Sequence, residues 1–125
     1  MDWSKYHPYF KKSEFQCKHT GKCEMDEEFM DRLLELRLRY NKPMIVNSGY
    51  RHWSHPVELP RKGHKNGEHT QGRCADIRIT NSRDRYEFLK LAFELGFPRL
   101  GFHNGFIHLG IGGNSLPNDV FWDYK

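Results

Sequence analysis

The sequence predicts an α+β domain in which a small antiparallel sheet packs with helices, and three observations lead there. Segments 26–40 and 82–95 repeat apolar residues at helical spacing. Four short stretches, PMIVNSGYR, CADIRIT, the residues around 100–102 and FIHLGI, read as strands. Their order (helix, strand, strand, helix, strands) points to an antiparallel sheet rather than a parallel one.

Each element has a local reason. Asp26 suits an N-cap, Glu27 and Glu28 suit the positive end of the first helix, and Phe29, Met30, Leu33, Leu36 and Tyr40 form its apolar stripe. Pro43 bars continuation, so PMIV becomes a buried strand that turns at Gly49. From His52 to Glu68 the chain is polar, with Pro56, Pro60, Gly63 and Gly67, and reads as a long loop of the kind that often carries function. The second helix, Ser82 to Leu95, places Phe88, Leu89, Ala92 and Leu95 on one face, and Gly96 and Pro98 stop it. Asn104-Gly105 then turns a hairpin between the last two strands.

At 125 residues the chain is expected to form one domain, 1–125, large enough to bury a core. Hydrophobic residues make up 37% and charged residues 29%, a globular composition. No apolar run approaches a membrane span, so no membrane partner is expected. The start, MDWSKYHPYFKKSEF, lacks a basic segment followed by an apolar one, which leads to an expectation of cytoplasmic synthesis without a signal peptide. Three cysteines argue against a disulfide framework, and a monomer is expected. The net charge of +4 suits an anionic partner, either nucleic acid or cell wall.

Strand alternation brings out a possible site. In CADIRI, Ala75, Ile77 and Ile79 share the core face, which turns Cys74, Asp76 and Arg78 to the other, accessible side. In FIHLGI the same rule leaves His108 with Phe106 and Gly110. His69 lies at the end of the loop entering the first of these strands, and Gly72 lets the chain turn between His69 and Asp76. Two histidines and a carboxylate form a normal zinc set with a fourth position for water. With eight histidines in the chain, a solvated polar face is the alternative.

The motifs SGYR, then H-x6-D within HTQGRCADI, then GFIH resemble the zinc DD-peptidase family. That family includes D-alanyl-D-alanine carboxypeptidases and phage endolysins that cut peptidoglycan peptides, and hedgehog signalling domains share its fold. The segment EFQCKHTGKCEMDEEFMDRLLELRLRYNKPMIVNSGYR is similar to the lead-in of many members, so the resemblance covers Phe15 to Gly113. It implies Zn2+ held by His69, Asp76 and His108. It implies further that Arg51, closing SGYR, meets the substrate's carboxylate or polarises its carbonyl, a task suited to a permanently charged fork of donors. His103, five residues before His108, matches a histidine beside the metal in some members. There it would donate a proton or stabilise an oxyanion; the alternative is a hairpin histidine facing solvent.

Two departures stand out. Many relatives carry an acidic residue three positions before the last histidine or two after it, and here those positions are Gly105 and Gly110. The usual serine two residues before the first ligand is Gly67. Glu68 and His103 are the remaining candidates for a general base, with His103 preferred because the family position it matches lies beside the metal.

Other motifs are weaker. Cys17, His19 and Cys23 lack a fourth ligand at finger spacing, so a polar turn with one buried thiol is the default. Cys74 is expected to pack beside the site. No nucleic-acid motif accompanies the basic residues of the 51–69 loop, and a cleft for carboxylate-ended peptides explains the same charge, with Trp53 stacking on a sugar or alanine methyl. The resulting expectation is a zinc metallopeptidase that hydrolyses peptidoglycan stem peptides containing D-amino acids, acting at the bacterial wall after release or from a virion. The rival is a zinc-stabilised binding or virion module of the same fold with impaired catalysis.

Overall fold

Asp26 starts the first helix by accepting the Phe29 N–H at 3.0 Å, and Asn41 ends it in the left-handed conformation with φ 57°. In the computed structural model, which describes residues 1–113 and 116–124, this helix, α1, spans Glu27–Tyr40. Its buried stripe is Phe29, Met30, Leu33, Leu36 and Tyr40, the face that spacing predicts. Helix α2 spans Ser82–Glu94 and is capped by Asn81, whose side chain accepts the N–H groups of Arg83 and Asp84. Phe88 of α2 meets Tyr40 of α1 edge-on, with ring centroids 5.6 Å apart, which joins the two helices. Among the described residues no helix is long and apolar enough to cross a membrane.

The sheet has five strands, β1 (Ile45–Ser48), β2 (Cys74–Arg78), β3 (Arg99–Phe102), β4 (Ile107–Gly110) and β5 (Val120–Asp123), in the order β1-β2-β4-β3-β5. The pairs β1–β2, β2–β4 and β3–β4 are antiparallel, as expected. The strand β5 is absent from the sequence reading and pairs parallel to β3, so the sheet is mixed and not purely antiparallel. Connectivity gives the reason. Strand β4 ends at Gly110, opposite Arg99 at the start of β3, and β5 begins beside that same residue, with Val120 opposite Arg99. A strand that starts there and follows the sheet can only run in the direction of β3.

The pleat separates two faces. Ala75, Ile77, Leu100, Ile107 and Leu109 are buried on the face that joins the helix-lined core. Burying each large aliphatic or aromatic side chain there contributes about 1.5–3 kcal/mol. The opposite face carries two rows set by register. One runs Asp76, His108, Gly101, Trp122; the other runs Cys74, Gly110, Arg99, Val120. This second face is not the open surface that alternation alone suggests. Asp76 and His108 are each 4% exposed, surrounded by Arg51 and Glu58 of the loop and by Arg99 and Trp122 of the sheet.

Candidate metal centre

Gly72 is required by its surroundings. Its φ is 70°, and a Cβ there would lie 2.1 Å from the Glu24 carbonyl oxygen. Its own carbonyl accepts the Asp26 N–H at 2.9 Å, so the turn after His69 is tied to the start of α1. Gly49, in SGYR, packs as closely: a Cβ would meet the Phe15 Cα at 2.8 Å. From that position the Gly49 carbonyl accepts a hydrogen bond from His69 Nδ1 at 2.8 Å. The His69 tautomer is thereby set, and Nε2 is left as the free donor atom.

His69 Nε2 faces Asp76 Oδ2 at 3.4 Å, and His108 Nδ1 donates to Asp76 Oδ1 at 2.9 Å. The two histidine rings stand edge to face with centroids 5.1 Å apart. Two imidazoles and a carboxylate, from the loop end, β2 and β4, thus converge. Burial pushes the Asp76 carboxyl up, but the hydrogen bond from His108 and the adjacent His69 ring outweigh it and hold the group well below the usual carboxylate range. For His108 burial acts downward, and the carboxylates of Asp76 and Glu68 on its two nitrogens raise it above the ordinary imidazole value. A positive charge between His108 Nδ1 and Asp76 is therefore favoured, whether it is carried by a proton or by a cation. That donor set fits zinc.

A sulfur lies close by. The donor atoms of His69, Cys74 and His108 all lie within 4.8 Å of one another. Cys74 is fully buried on the same face of β2 as Asp76, beside the site as expected. Cys17, His19 and Cys23 form no such group among the described residues. Cys17 is buried and its sulfur accepts the His52 N–H, the polar-turn arrangement taken as the default.

The donors sit in a cleft of about 370 Å³ whose walls include Arg51, Glu58, Phe106, Trp122 and Tyr124. Arg51 donates from Nη1 to Glu58 at 2.9 Å and from Nη2 to Asp76 at 3.4 Å, so it belongs to the site. Glu58 is missing from the sequence reading, where it is one acidic residue in a long polar loop. It is 1% exposed and also lies 3.6 Å from Arg61. Arg99 and Trp122 are missing too. The Trp122 indole packs 5.2 Å from the His108 ring, and the Arg99 guanidinium covers the indole at 5.1 Å.

Other expected residues lie elsewhere. His103 is exposed on the β3–β4 turn, stacks on Phe106 at 4.6 Å and accepts the Gly105 N–H on Nδ1, and it does not line the cleft. Trp53 packs with its own loop, with Lys65 over its ring at 4.8 Å, and does not line the cleft. Glu68 does line it, yet its oxygens engage His108, Arg99 and the Gly112 N–H.

A buried histidine–carboxylate cluster at the floor of a cleft, on a small α+β sheet, is a donor set of the kind that holds zinc in zinc hydrolases. The chain belongs to the peptidase M15 family, the zinc DD-peptidases, whose model matches residues 8–110 and so includes all three expected ligands. No curated protein matches the chain.

Proposed function

We propose that this protein is a zinc-dependent peptidase whose substrate is a peptidoglycan stem peptide containing D-amino acids. The observation that carries the reading is the convergence of His69 Nε2, the Asp76 carboxylate and His108 Nδ1 beneath a cleft walled by Arg51. Zinc bound there supplies Lewis acidity, which acidifies water and polarises a carbonyl. Asp76 and His108 present their donor atoms already oriented by partners, which lowers the cost of forming the site. Arg51 binds the substrate's carboxylate or the carbonyl oxygen of the scissile bond, held in place by buried Glu58. Phe106, Trp122 and Tyr124 give the cleft an apolar side that displaces water from the reacting groups. Such a protein acts at the bacterial wall, after release or from a virion, as a monomer.

Purified protein with zinc should release new amino groups from peptidoglycan, and a chelator should stop the release. A second reading, a zinc-stabilised wall-binding module, draws on one specific feature. Positions 105 and 110 are glycine, Glu68 is committed to His108, and His103 stacks on Phe106 without lining the cleft. Binding to clean wall preparations without any cleavage across neutral pH would decide for that module.

A further inference from the structure

Strand β4 carries no side chain at position 110, and the space is taken by another residue. A Cβ built on Gly110 would lie 1.9 Å from Glu68 Oε2 and 2.4 Å from its carboxyl carbon. The Glu68 carboxylate therefore rests on the bare backbone of Gly110, where a side chain from the strand would otherwise stand. Register places Gly110 between Cys74 and Arg99, two residues from His108 on the same face.

The carboxylate is fixed on every side. His108 Nε2 donates to Oε1 at 2.6 Å, and the Gly112 N–H donates to Oε2 at 2.9 Å. Arg99 Nε lies 3.0 Å from Oε1 as an ion pair without the alignment of a hydrogen bond. Glu68 is 7% exposed. The nitrogen it holds is the outer one; the inner one, Nδ1, faces Asp76. A carboxylate on the outer nitrogen of a metal-binding histidine keeps the proton there, aims the other nitrogen at the metal and strengthens it as a donor.

We infer that Glu68 is the positioning residue of His108, and that Gly110 is glycine because the Glu68 carboxylate occupies the place of a side chain on β4. Glu68 and residue 110 are then one coupled unit: a carboxylate is needed at this spot, and it is supplied by the loop instead of the strand. The inference rests on the reading that His69, Asp76 and His108 hold zinc, and it takes Glu68 out of the role of general base.

The test is a zinc-affinity cycle by competition with a chromophoric chelator, on the full chain, with nitrogen-15 NMR of the His108 ring. Glu68→Ala should weaken zinc binding about 10- to 100-fold. Gly110→Asp alone should also weaken it, because the new carboxylate collides with Glu68. Glu68→Ala combined with Gly110→Asp should recover at least half of the logarithmic loss. Glu68→Gln keeps the shape over Gly110 and guards against an unfolded alanine variant; its His108 Nε2 proton should exchange with solvent faster than in the unaltered protein. Unchanged affinity in Glu68→Ala, no recovery in the double variant, or an unchanged Nε2 proton in Glu68→Gln would each overturn the proposal. Failure of the underlying site reading looks different: His69→Ala and His108→Ala would then bind zinc as tightly as the unaltered protein.

Discussion

Arg51, half-buried, and the buried Glu58 form an ion pair in the wall of the cleft, with Nη1 to Oε2 at 2.9 Å and Glu58 1% exposed. The second Nη of the same guanidinium reaches Asp76 at 3.4 Å. Arg51 is thus positioned from both ends, by a loop carboxylate on one side and by a ligand carboxylate on the other. Glu58→Gln should loosen Arg51 without touching the metal donors. The expected result is a KM raised about tenfold, equivalent to ~1.4 kcal/mol of substrate binding, with zinc content unchanged. Arg51→Lys should act in the same direction and more strongly, since an ammonium cannot reproduce the fork. Steady-state kinetics on a synthetic stem peptide, with metal analysis of each variant, checks both. Zinc lost along with activity would mean that Arg51 serves the metal site instead of the substrate.

Zinc itself gives the next prediction. His69→Ala or His108→Ala leaves two protein ligands, which hold zinc poorly. Each variant should lose most of the single equivalent expected per chain, by inductively coupled plasma analysis after dialysis. Chelation of the unaltered protein should lower its melting temperature, because metal bound only by the folded state adds its binding free energy to stability.

Stability after chelation should depend on pH in a defined way. The Asp76 and Glu68 carboxyls lie below their ordinary values in the folded protein. Their contribution is present above about pH 4 and is lost as pH falls through the depressed folded values. His108 is raised, so its contribution is complete below about pH 6.5 and is lost as pH rises through its folded value. Chelated protein should therefore be most stable between these limits. Zinc replaces the Nδ1 proton, so the loss on the alkaline side should disappear when zinc is added, and zinc affinity should rise with pH. Melting curves from pH 3 to 9, with and without metal, test the sign. An alkaline fall of equal size in His108→Gln would assign it to another group.

How much of this was legible in the residues differs from part to part. Both helices followed from caps and spacing because Asp26 and the stripe from Phe29 to Tyr40 act within one helix. The faces of β2 and β4 followed from alternation, which set Asp76 and His108 on one side. What alternation does not contain is the cover over that face. Glu58, Arg99 and Trp122 reach the site from a loop, from β3 and from β5, and only tertiary folding brings them together. Strand β5 escaped notice because VFWD owes its pairing and direction to where β4 ends, which its own residues do not carry. The His103 reading relied on a position in a motif; its stacking on the Phe106 ring is a matter of packing.

The choice between Asp76 and Cys74 as third ligand yields the last prediction. Both lie on the site face of β2, and the sulfur lies within 4.8 Å of the two histidine donor atoms. Chemistry separates them. A thiol must lose its proton to bind zinc, and burial, aided by the charges of Glu68 and Asp76, pushes the Cys74 thiol well above its ordinary value. The Asp76 carboxylate is already ionised and already oriented by His108 and His69. Asp76→Ala should therefore lose zinc as His108→Ala does, whereas Cys74→Ala should keep it. Cobalt in place of zinc gives an independent check, since a thiolate ligand adds an intense near-ultraviolet charge-transfer band that nitrogen and oxygen donors do not produce. The band should be absent from the unaltered protein. If it is present there and vanishes in Cys74→Ala, the sulfur is a ligand; zinc lost from Asp76→Ala as well would then mean four protein ligands and a closed site, without the open position of a catalytic zinc centre.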